Sequence, residues 1–66
     1  MQKKELFNQY KSHLKWLEEM AQKRGKTSMI EQGYGFTLGI CLCNEKYKKE
    51  ILKIWEDWKE HLLYDL

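Results

Sequence analysis

The chain predicts an α+β fold in the order long helix, β-hairpin, long helix, completed as a symmetric homodimer. Three observations carry that expectation. The two ends are charged and amphipathic, the centre GYGFTLGICLC carries no charge and holds three of the four glycines, and 66 residues bury too little surface to be secure alone. An all-α alternative keeps the two helices as a helical hairpin, pairs two copies into a four-helix bundle and leaves the Gly-containing centre as an irregular loop. Either way the chain is one domain.

The first helix is expected over about residues 4–24. Leu6, Phe7, Tyr10, Leu14, Leu17 and Ala21 fall in one stripe, and from Phe7 onward the spacing is 3, 4, 3 and 4. Gly25 follows Lys23 and Arg24, so a left-handed stop meets cations placed at the negative end of the helix dipole. Phe7, Tyr10, Leu14 and Leu17 are assigned to the core or the dimer contact.

The hairpin is expected over about residues 27–43. TSMIEQ and FTLGICLC flank Gly33-Tyr34-Gly35, and Thr27, Ile30, Thr37 and Ile40 are β-branched. In a strand, Phe36, Leu38, Ile40 and Leu42 form a bulky face that seats on the helices. Thr37, Gly39, Cys41 and Cys43 form a small face that is solvated or lets another backbone approach.

The second helix is expected over about 45–64, with Asn44 as its N-cap and Glu45 in its first turn. Tyr47, Ile51, Ile54, Trp55, Trp58, Leu62 and Leu66 share an arc of about 120° at 100° per residue. Leu52 and Leu63 widen it to one side. Ile51, Trp55, Trp58 and Leu62 join the core assignment.

Composition narrows the function classes. Twelve basic against ten acidic residues give a net charge of +2, too balanced for a dedicated polyanion binder. The longest uncharged apolar run, FTLGICLC, is far shorter than the roughly 20 residues of a membrane helix, and no signal core opens the chain, so an intracellular, cytoplasmic location is expected. Cys41 and Cys43 are too close to bridge comfortably and read as reduced thiols.

Motifs for chemistry fail on spacing. Gly25-Lys26-Thr27 has the end of a P-loop, but Met20 stands where its first glycine belongs. Gly33 and Gly35 begin a dinucleotide fingerprint whose third glycine is replaced by Leu38. Cys41, Cys43, His13 and His61 are weak metal candidates without a zinc-finger spacing, and no nucleophile, base and orienting group can be assembled. The expectation is a protein that is not an enzyme and holds no metal and no cofactor.

What remains is recognition. Trp16 projects about 120° away from Tyr10 on the wheel, outside the core stripe, with His13 and Met20 leading toward it. Trp16, Met20, His13, Leu52 and Leu63 are therefore the candidate partner-binding residues. The expected function is a non-catalytic interaction module acting stoichiometrically, as inhibitor or regulator of a larger intracellular protein. The Lys, Glu and Ile bias without proline looks like small proteins of AT-rich bacteria and their phages, which fits a host or defence target. One alternative is a dimeric nucleic-acid binder using Lys4, Lys11, Lys15, Lys23, Arg24 and Lys26 of the first helix and its end. A second is a small-ligand, nucleotide-like binder at a subunit interface near Tyr34.

Overall fold

The computed structural model describes residues 2–65, and every element in it is helical. Helix α1 spans Lys3–Arg24 and α2 spans Lys26–Cys43. A 3₁₀ turn at Glu45–Tyr47 leads into α3, Lys48–Glu60, whose end widens into a π turn at His61–Asp65. Leu66 lies outside the described residues.

This overturns the α+β expectation: no strand forms among the described residues, and the expected hairpin is a single helix. The physical reason begins with the glycines. A tight turn at Gly33-Tyr34-Gly35 requires left-handed backbone, whereas the one positive φ among the described residues belongs to Gly25, at 95°. A two-stranded hairpin is marginal in water. A helix instead satisfies its backbone internally and aligns Met29, Gly33, Thr37 and Cys41 on one side, all buried. That packing outweighs the strand preference of Thr and Ile, which spans only about 1 kcal/mol per residue. The all-α alternative has the right class but makes a loop of what is a helix.

The expected strand faces are therefore exchanged. Phe36, Leu38 and Leu42 stand exposed and Ile40 is half-buried, while Thr37 and Cys41 of the supposed small face lie in the core.

Gly25 alone separates α1 from α2, and its amide closes on the Ala21 carbonyl at 3.0 Å. The two helices run antiparallel, with Tyr10 beside Thr37 and Leu17 beside Gly33. Helix α3 returns along α2, Trp55 meeting Gly33, and so runs parallel to α1, where Lys3 pairs with Glu50 and Phe7 meets Tyr47 edge-on. The result is an up-down-up bundle of three helices.

Its core is built from Leu6, Tyr10, Leu14, Leu17 and Ala21 of α1, Met29 and Cys41 of α2, Ile51 and Trp55 of α3, and Leu62 of the π turn. Phe7 and Trp58 pack half-buried against it. Asn44 does not cap the following helix. Its amide Nδ2 donates to the Ile40 carbonyl at 3.1 Å and so closes the end of α2.

Candidate interaction surface on the second helix

The buried side of α2 holds a short polar chain. The Thr37 hydroxyl donates to the Gly33 carbonyl at 2.7 Å, which uses its one proton. The Tyr10 hydroxyl, 2.7 Å from Thr37 Oγ1, must therefore donate to it. Burial pushes the Tyr10 phenol up to about 12, with the Thr37 hydrogen bond opposing and the neighbouring Cys41 thiol adding to the shift. Both Tyr10 and Thr37 are fully enclosed, so this relay reaches no substrate and serves to fix the register of α1 on α2.

Gly33 sets the distance between helices on the same side. A Cβ built there would lie 2.7 Å from Trp55 Cζ3 and 3.0 Å from Leu17 Cδ1, so the missing side chain is the notch that receives the indole.

The outer side of α2 is different in kind. From Gln32 to Asn44 no residue is charged. Tyr34, Phe36, Leu38 and Leu42 are exposed there, four of the seven large apolar side chains left open among the described residues. Gly35 and Gly39 lie between them, and a Cβ at either would meet nothing within 4 Å. Leu42, at 78% exposure, touches little of its own fold.

One flank of this surface is aromatic. His13 of α1 meets Phe36 in a tilted contact with ring centroids 3.9 Å apart, and stacks on Trp16 at 5.8 Å. Phe36 also lies parallel to Tyr10 at 6.2 Å. Burial holds His13 below the ordinary histidine range, which favours the neutral ring between its aromatic neighbours. Trp16 remains 48% exposed. The structure thus joins Trp16 and His13 to Phe36, a residue assigned from sequence to the core, and Met20 sits half-buried one turn further along α1.

The other sequence candidates are dispersed. Leu52 packs half-buried against the core and Leu63 is exposed at the far end of the chain. Cys41 is buried and Cys43 exposed. Burial raises the Cys41 thiol, with Lys48 drawing it partly back. His61 Nε2 lies 3.0 Å from Glu18, well away from both cysteines in the chain order of the bundle. Among the described residues no group of three metal-ligating side chains comes together.

Of the first-helix cations, Lys4, Lys11 and Lys15 follow one another on α1 at spacings of seven and four residues. Lys11 and Lys15 border a groove between α1 and α3 together with Glu18, Trp58 and His61. Lys23, Arg24 and Lys26 sit around the Gly25 turn, and Lys26 lines a neighbouring groove with Glu18, Ala21 and Leu62. Tyr34 faces a shallow groove of about 420 Å³ between α2 and α3, with Ile30, Glu31, Trp55, Glu56 and Lys59.

Sequence reasoning placed Gly39 on a face open to solvent or to another backbone, but grouped it with the buried Thr37 and Cys41 and missed the helical surface it shares with Gly35. The usable signal was the four-residue spacing of Met29, Gly33, Thr37 and Cys41, which is a helical period. Comparison with known protein families, curated proteins and solved structures finds no match. No described helix is long and apolar enough to cross a membrane.

Proposed function

We propose that this chain is a non-catalytic protein-interaction module, acting stoichiometrically as an inhibitor or regulator of a larger protein in the cytoplasm. The observation that carries the reading is the uncharged outer side of α2 with the Trp16–His13–Phe36 cluster along its flank. Contiguous apolar surface on so small a body is where partners dock, and Trp is enriched among the anchors of such contacts. The charged outer residues of α1 and α3 offer nothing comparable: their pairs, such as Lys53 with Asp57 and Lys59 with Glu56, are solvent-facing and contribute little.

The test is capture of binding proteins from native-host lysate on immobilised chain, comparing the wild type with a Trp16→Ala, Phe36→Ala double variant. Both side chains are about half exposed, so helicity by circular dichroism should be retained while a specific larger protein is lost from the eluate. Retention of that protein by the double variant would refute the assignment of this surface.

A further inference from the structure

We propose that the outer side of α2 docks on the outer side of α2 of a second copy of this chain, antiparallel, about a two-fold axis near Gly39. The proposal rests on reading this surface as a protein-interaction surface and names its occupant.

A helix that is apolar all round is one that is buried all round. Helices α1 and α3 cover only the side bearing Met29, Gly33, Thr37 and Cys41. The open side is self-complementary in relief. Gly35 and Gly39 make a low line with free space above it, and Phe36 and Leu38 rise on either hand. A two-fold interface requires one patch to fit itself, and here a ridge on one copy finds the low line of the other. Helices that meet over glycine approach to about 8 Å, the close end of the usual range.

Charge is compatible with the same occupant. A strongly acidic or basic partner would find no counter-charge between Gln32 and Asn44, whereas a second copy brings an equally neutral surface. Direction follows from the ends. A parallel pair would set Glu31 against Glu31 and align the two helix dipoles, while the antiparallel pair turns Glu31 toward the Lys46 end of the other copy and opposes the dipoles.

The contact is small. The uncharged stretch 32–44 runs about 20 Å along α2 at 1.5 Å per residue, so the pair falls at the low end of specific interfaces, below about 1,200 Å², where association depends on chain concentration. Trp16 and His13 would sit at the rim of such a dimer, displayed twice.

Sedimentation equilibrium of the full chain tests this, with Gly39→Lys as the decisive variant. A side chain at Gly39 clashes with nothing in the single chain, and any residue but proline is a better helix former than glycine, so the variant keeps its fold. Wild type is expected at twice the mass of the 8.1 kDa chain. Gly39→Lys is expected to weaken association about 100-fold or more, because an unpaired charge enters an apolar interface. Alkylation of exposed Cys43 should slow as wild-type concentration rises and stay fast in the variant. A wild type that is monomeric at ~100 μM, or a Gly39→Lys that dimerises equally well, overturns the proposal. If the wild type is monomeric yet captures a larger protein that Gly39→Lys loses, the second copy is wrong and the interaction surface stands; if the wild type is monomeric and capture is unchanged both by Gly39→Lys and by the Trp16→Ala, Phe36→Ala double variant, both fall.

Discussion

Gly33 and Gly39 stand on the same helix in the same helical backbone, and a Cβ added to each meets opposite surroundings. At Gly33 it would strike the Trp55 ring at 2.7 Å; at Gly39 it would enter open space. The first glycine exists to admit an aromatic ring from within the chain. The second has no occupant among the described residues, yet its neighbours Phe36, Leu38 and Leu42 are as apolar as a core. Composition alone therefore does not tell a notch already filled from one awaiting a partner; the neighbouring helix does.

Three substitutions sharpen that contrast. Gly33→Ala has the largest expected effect. Overpacking against an indole wedged between helices costs about 1–3 kcal/mol. Alanine's gain of up to ~1 kcal/mol in helix propensity offsets only part of it, so chemical denaturation should register a net loss. A stabilised Gly33→Ala would mean that Trp55 is free to move aside.

Tyr10→Phe comes next. It removes the phenol donor to Thr37 and should cost about 0.5–1.5 kcal/mol near neutral pH. The pH profile adds a second readout. The folded phenol titrates at about 12 instead of 10, so the native state holds its proton more tightly than the unfolded chain. Its stability is fully present below pH 10 and is lost as pH rises from there through 12. Denaturant midpoints taken from pH ~8 to ~11 should decline more steeply for wild type than for Tyr10→Phe.

Gly39→Ala has the smallest effect, and its sign depends on concentration. In dilute, monomeric chain no clash opposes the propensity gain, which should stabilise by about 0.5–1 kcal/mol. At concentrations where two copies pair, the added methyl enters the close contact and should offset that gain; a full gain at high concentration would mean that nothing lies against Gly39.

The contrast between the helices also explains what the sequence could and could not reveal. Tyr10, Leu14, Leu17 and Ala21 of α1, and Ile51, Trp55 and Leu62 toward the C-terminus, are legible as inward positions and are buried, because charged residues around them mark the outside. Helix α2 lacks that contrast. With no charged residue from Gln32 onward, its bulky side chains alternate at 36, 38, 40 and 42 and imitate a strand, while the true inner row is made of small residues at 33, 37 and 41. Glycine compounds the ambiguity, since it serves equally for a turn and for close packing. Trp16 was legible as an outward aromatic by its wheel position; its companion Phe36 was not, because only the helical register brings it beside His13. Asn44 likewise has the residue type of an N-cap, and geometry alone assigns it to the preceding helix.

The most direct test of the central claim, that the outer side of α2 is closed by a second copy, is the thermal midpoint as a function of chain concentration. Dimerisation linked to folding makes that midpoint rise by mass action: over a ~100-fold range the stabilisation is about 2.7 kcal/mol per dimer, or on the order of 5–10 °C for a domain this small. The account predicts that rise for wild type and a flat line for Gly39→Lys. A wild-type midpoint independent of concentration would contradict it.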